Sequence, residues 1–122
     1  MSSVFKKTLA ILAISAAAGF AQADEFDDAF KSAQKSDYKN ATAKLESLAK
    51  RNDPRALFLL GTMYHNGTAG QIDEVAAVNL YHKAAEAGSP EAQEYLAIGY
   101  REGWFGLKKD AKKARYWEDK LK

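Results

Sequence analysis

The side chains of this chain that could do chemistry are few. It has two histidines, His65 and His82, and no cysteine. Lack of cysteine excludes thiolate zinc sites, thiol catalysis, disulfides and any lipid attached through a thiol. The histidines fall on different predicted helices, and a metal site would need them to converge with carboxylates. They read instead as exposed or half-exposed helix residues. Asp24, Glu25, Asp27 and Asp28 form an acidic cluster. A cation could use it, but at a helix start such acids complement the helix dipole. No Ser-His-Asp arrangement has a recognisable spacing, and Gly67-Thr68-Ala69-Gly70 lacks the lysine of a phosphate-binding loop. The expectation is a chain with no catalytic residues, no metal and no cofactor.

What carries these residues is helix. Alanine, leucine, lysine and glutamate dominate beyond residue 23, and β-branched residues are sparse. Pro54 and Pro90 each follow a capping residue, Asp53 or Ser89, as proline does at a first helical position. Gly67, Gly70, Gly103 and Gly106 mark stops. Six helices are predicted, over about 24–35, 37–51, 53–66, 73–87, 89–102 and 110–121.

These helices repeat. Asp53-Pro54-Arg55-Ala56 returns as Ser89-Pro90-Glu91-Ala92, and on that register Leu60 meets Leu96, Tyr64 meets Tyr100 and Gly67 meets Gly103. One residue further along, Asp73 meets Asp110, Ala77 meets Ala114, Leu80 meets Trp117 and Lys83 meets Lys120. A fainter copy lies upstream around Ala41, Leu45 and Leu48. Small residues (Ala56, Gly61, Ala77, Ala92) allow close helix approach, and large ones (Leu60, Tyr64, Tyr81, Leu96) fill the space beside them. Each helix pair leaves an apolar side open that the next pair covers. That pattern predicts an all-α solenoid of about three antiparallel helix pairs.

The same residues resemble the Sel-one-like repeats, a tetratricopeptide-like family. Ala56, Leu60-Gly61, Tyr64 and Gly67 match the first part of its pattern, and Ala77, Tyr81, Lys83-Ala84-Ala85 and Gly88 the last. Ala92, Leu96, Tyr100, Gly103, Gly106-Leu107, Asp110, Ala114, Trp117 and Lys120 match again. Leu80 stands where the family has tryptophan, Ala97 where it has glycine, and Gly70-Gln71-Ile72-Asp73 is one residue short. The resemblance covers Asp53 to Leu121, with Asp24 to Asn52 a tetratricopeptide-like cap. It implies a non-enzymatic protein-interaction module; similar proteins of bacterial envelopes act as adaptors, regulators or immunity-type inhibitors. The alternative it raises is a cell-wall-active or β-lactam-directed hydrolase. That activity is linked to cysteine-rich relatives, whose cysteines this chain lacks.

The first residues read as an export signal. Lys6 and Lys7 precede an apolar run from Leu9 to Phe20, then Ala21-Gln22-Ala23 and an acidic start. A spanning helix needs roughly 20 apolar residues, and this run is shorter. The expected division is therefore 1–23 signal peptide and 24–122 repeat domain, with 24–52 the first helix pair, 53–88 one repeat, and 89–122 a repeat with its C-terminal cap. The expected location is the periplasm, with no membrane span after cleavage. Removing Lys6 and Lys7 leaves sixteen basic and sixteen acidic residues. Net charge then gives no argument for nucleic acid or an anionic membrane as partner.

The expected partner is a protein or peptide of the cell envelope. If Ala56, Leu60 and Tyr64 face the core, then Phe58, Thr62 and His65 form the opposite stripe, and Glu94, Ile98 and Arg101 its copy in the next repeat. Phe58 and Ile98 would be apolar anchors, with Asn66 and Glu102 completing the polar surround. The competing reading has Phe58 covering a neighbouring helix. Trp104 and Phe105, in a glycine-flanked loop, either pack beneath it or stand out as a second binding surface. Lys108, Lys109, Lys112, Lys113 and Arg115 form a basic end, either a solvated face of the capping helix or a dock for an acidic partner or anionic polymer.

Overall fold

The computed structural model describes residues 24–122, so the expected signal peptide lies outside the described residues. Six helices follow in order: α1 over 24–34, α2 (Tyr38–Lys50), α3 (Pro54–Asn66), α4 (Glu74–Glu86), α5 (Pro90–Glu102) and α6 (Ala111–Lys120). The expected ranges run a residue or two longer because they included the caps.

Capping explains the starts. The Asp53 carboxylate accepts from the amides of Arg55 (3.0 Å) and Ala56 (3.4 Å). Asp73 accepts from Ala76 at 2.9 Å, Ser89 from Ala92 at 3.2 Å, and Asp110 from Lys112 and Lys113, both at 3.1 Å. Each bond satisfies an amide that the first helical turn leaves without a partner, an effect worth about 1 kcal/mol per cap. Gly67 (φ 85°) and Gly103 (φ 74°) end α3 and α5 in the left-handed region, where a side chain is disfavoured.

The repeat is also written in the backbone. Asp53 N–H donates to the Leu48 carbonyl, and Ser89 N–H to that of Ala84 (3.2 and 2.9 Å). Asp73 N–H donates to Tyr64, and Asp110 N–H to Tyr100 (2.9 and 2.8 Å). Equivalent turns are thus pinned by equivalent bonds, and successive helices pack as antiparallel neighbours.

Two buried clusters merge along the stack. One joins Ala29, Ala41, Leu45, Leu48, Ala56, Leu60 and Met63, and binds α1 and α2 to α3. The other centres on Leu57, Tyr81, Leu96, Tyr100 and Trp117, and runs from α3 to α6. Ala49, Tyr64 and Leu80 pack against both. Small residues set the spacing: a Cβ on Gly61 would lie 2.8 Å from Tyr81 Cε1. Both clusters are built from residues between Ala29 and Trp117, so residues 24–122 carry a core of their own.

Candidate functional site

The stack brings α3 and α5, the first helices of consecutive repeats, near enough for their rings to meet. Phe58 lies 5.7 Å from Tyr81 and 5.4 Å from Tyr95, edge-on to the latter. Tyr95 stacks on Phe105 at 5.3 Å. His65 meets Phe105 edge-on at 5.5 Å. Tyr81 of α4 forms the floor and is buried, whereas Phe58, His65, Tyr95 and Phe105 are half-buried. The result is a row of partly exposed rings held on rigid helices. Such pairs add about 0.5–1.5 kcal/mol each beyond the area they bury.

Polar tips mark this row. The Tyr81 hydroxyl lies 3.4 Å from His65 Nδ1. Burial first, and then the nearby Tyr95 hydroxyl, hold the Tyr81 phenol above the ordinary tyrosine range. It therefore stays a neutral hydrogen-bonding group. His82 serves the core instead. Its Nδ1 sits 3.0 Å from the Val78 carbonyl, which can only accept, so that nitrogen carries the proton. Its Nε2 lies 2.8 Å from the Tyr100 hydroxyl, within hydrogen-bonding distance. The two histidines thus bond to tyrosines of successive helices and do not converge on one site. Among the described residues, no group of three or more His, Asp or Glu could hold a metal ion.

The structure distributes the expected binding residues unevenly. Phe58, His65 and Phe105 come together, and Trp104 joins them 6.2 Å from Phe105. Phe58 is not a free anchor, because its ring packs on the core cluster. Thr62 donates its hydroxyl to the Leu59 carbonyl at 2.7 Å. The Asn66 side-chain oxygen accepts from Thr68 N–H and Oγ1, so it braces the turn after α3. Glu94 and Glu102 are exposed and Ile98 half-buried. Arg101 is drawn towards α6 by an ion pair with Glu118 at 2.6 Å, away from the rings. Trp104 and Phe105 part company: Trp104 is exposed and Phe105 turns inward.

Tyr95 and Tyr81 are the ring residues that the stripe argument missed. That argument placed the same face of every first helix along one open surface. In a stack, one face of α3 looks towards the opposite face of α5. Phe58 therefore meets Tyr95 and not its repeat equivalent, Glu94. The available signal was Tyr95 itself, a large ring among the acids Glu91, Glu94 and Glu102.

Stacked antiparallel helix pairs with an aromatic face define a helical-repeat scaffold. The chain belongs to the Sel1 repeat family, whose model matches residues 54–89 and 90–117. Proteins of this family generally serve as protein-interaction modules. Among solved structures, the chain is similar to the crystal structure of a Sel1 repeat protein from Oxalobacter formigenes. The two are 33% identical with a TM-score of 0.59, and the match covers 67% of this chain and 62% of that one. The chain thus spans less than two thirds of that protein. No curated protein matches it.

Proposed function

We propose that this protein is exported to the periplasm, loses residues 1–23, and acts there as a binding module, an adaptor, regulator or immunity-type inhibitor of the cell envelope. Its partner is a protein held on the face shared by α3 and α5. The observation that carries this reading is the row of half-buried rings, Phe58, His65, Tyr95 and Phe105, bordered by Ile98 and the exposed Glu102. Aromatic side chains on a rigid frame give much contact area for little ordering cost on binding. No observation favours the hydrolase alternative.

The test is site-specific photo-crosslinking in living cells. A crosslinker at Glu102 should yield one discrete protein adduct, and the same crosslinker at Lys44, on the exposed side of α2, should not. Equal yields of the same adduct from both positions would contradict the assignment of the face.

Export has its own check. Lys6-Lys7, the Leu9–Phe20 run and Ala21-Gln22-Ala23 motivate it. The intact mass of the native protein should correspond to a chain beginning at Asp24. A native protein that keeps residues 1–23 and pellets with membranes would overturn the reading.

A further inference from the structure

The most exposed apolar side chains lie in or next to the loops that follow α3 and α5, with Trp104 beside Phe105 of the ring row. They are Val75 (73%), Ile72 (67%) and Trp104 (55%). Ile72 closes the α3–α4 loop, Val75 lies in the first turn of α4, and Trp104 lies in the α5–α6 loop. Glu74, Val75, Val78 and Asn79 of α4 face Phe105 and Leu107 across one shallow groove, which sets the first turns of α4 beside the α5–α6 loop.

The second loop is built to keep Trp104 outside. Phe105 adopts φ 58°, a left-handed conformation that residues with a side chain rarely hold. In it, the Phe105 ring is stacked on Tyr95. Leu107 seats on Gly99, where a Cβ would lie 2.9 Å from Leu107 Cδ1. With its two neighbours of the loop drawn inward, Trp104 is left in solvent.

Charge marks the same edge. The even balance over residues 24–122 hides a local separation: residues 103–122 hold seven bases and three acids. Lys108 and Lys109 follow the aromatic turn directly, and Lys112 stands in the first turn of α6. Asp73 and Asp110 of this edge are engaged in capping α4 and α6, while Glu74 stands beside Val75.

We propose that this edge seats on an anionic lipid surface, with Trp104, Ile72 and Val75 entering the headgroup layer and Lys108, Lys109 and Lys112 facing the lipid phosphates. The apolar side chains stand out from loop ends and do not line a deep recess, which suits a soft interface better than a rigid partner. Tryptophan, apolar in body with one N–H donor, is at home at that depth. Such a seat needs no spanning segment, and among the described residues no helix is long and apolar enough to cross a membrane.

The test uses the chain beginning at Asp24, whose cores come from residues 29–117, with circular dichroism to check folding. Vesicles of phosphatidylcholine with and without phosphatidylglycerol are the probe. The protein should sediment with the anionic vesicles only, and less so as salt rises. Its fluorescence should shift to the blue through Trp104, because Trp117 is already buried. Trp104→Ala should lower the partition coefficient about tenfold. Lys108→Glu with Lys109→Glu should lower it at least about twenty-fivefold, near fivefold per lysine. The charge-matched control, Lys44→Glu with Lys50→Glu on α2, should stay close to wild type. No sedimentation at low salt, equal partition of wild type and Trp104→Ala, or equal loss in the control would each overturn the proposal. Binding to soluble polyglutamate but not to vesicles would assign the edge to an acidic protein and overturn it as well.

Discussion

Replacing Tyr81 with alanine should remove about 3–5 kcal/mol of stability, as emptying a buried aromatic position does. Tyr81 is 1% exposed and belongs to the largest fully buried side chains of the stack. It touches Phe58, Tyr95 and Phe105 from below and lies against the bare backbone of Gly61. Deleting it leaves a void shared by three helices, and the rings above lose their floor. A domain is stable by only about 5–15 kcal/mol, so this loss is a large fraction of the total. Tyr81→Phe keeps the ring and loses only the hydroxyl near His65, at a cost of about 1 kcal/mol. Urea denaturation midpoints provide the comparison. A midpoint for Tyr81→Ala no lower than that of the exposed control Lys112→Ala would contradict the packing described.

The same pair of variants carries a pH signature. The folded state holds the Tyr81 phenol protonated above the ordinary tyrosine range. The unfolded chain releases that proton near the ordinary value, about pH 10. Between these limits the folded state binds more protons, so stability must fall as pH rises. Wild type should lose stability on the alkaline side of about pH 10 more steeply than Tyr81→Phe.

Much of the architecture was legible because it is local. Asp53 and Ser89 are read as caps from their place before a proline, and both accept the expected amides; Asp73 and Asp110, read as repeat equivalents of each other, cap α4 and α6 in the same way. The repeat was legible because small residues such as Gly61 and Ala92 recur where backbones must approach closely. The site was less legible, because it depends on which faces meet across repeats. Phe58 was readable as a large apolar residue off its own repeat core; that Tyr95 covers it was not, since the two occupy non-equivalent positions. Arg101 pointed to the same stripe by periodicity, but Glu118 pulls it aside. Trp104 and Phe105 are chemically alike and adjacent. Only the left-handed backbone at Phe105 decides which one enters the cluster, and no rule of composition foresees it.

The second large effect concerns the partner. Ile98 lies one helical turn from both Tyr95 and Glu102, half-buried at the border of the ring row. A protein seated on the rings must cover it. Placing a carboxylate there, and reversing the charge at position 102, puts an unpaired charge beneath the partner while leaving the core clusters intact. Phe58 would be a poor probe, because its loss would also disturb the packing on Tyr81 and Tyr95. Loss of a well-buried interface anchor typically costs about 2 kcal/mol or more, roughly thirtyfold in affinity.

The most direct measurement is therefore the affinity of the partner crosslinked through position 102 for wild type and for Ile98→Glu with Glu102→Lys, by calorimetry on purified proteins. At least a thirtyfold weakening, with the melting temperature nearly unchanged, is the expected result. Equal affinity for the two proteins would contradict the claim that the face of α3 and α5 is where this Sel1 repeat protein binds.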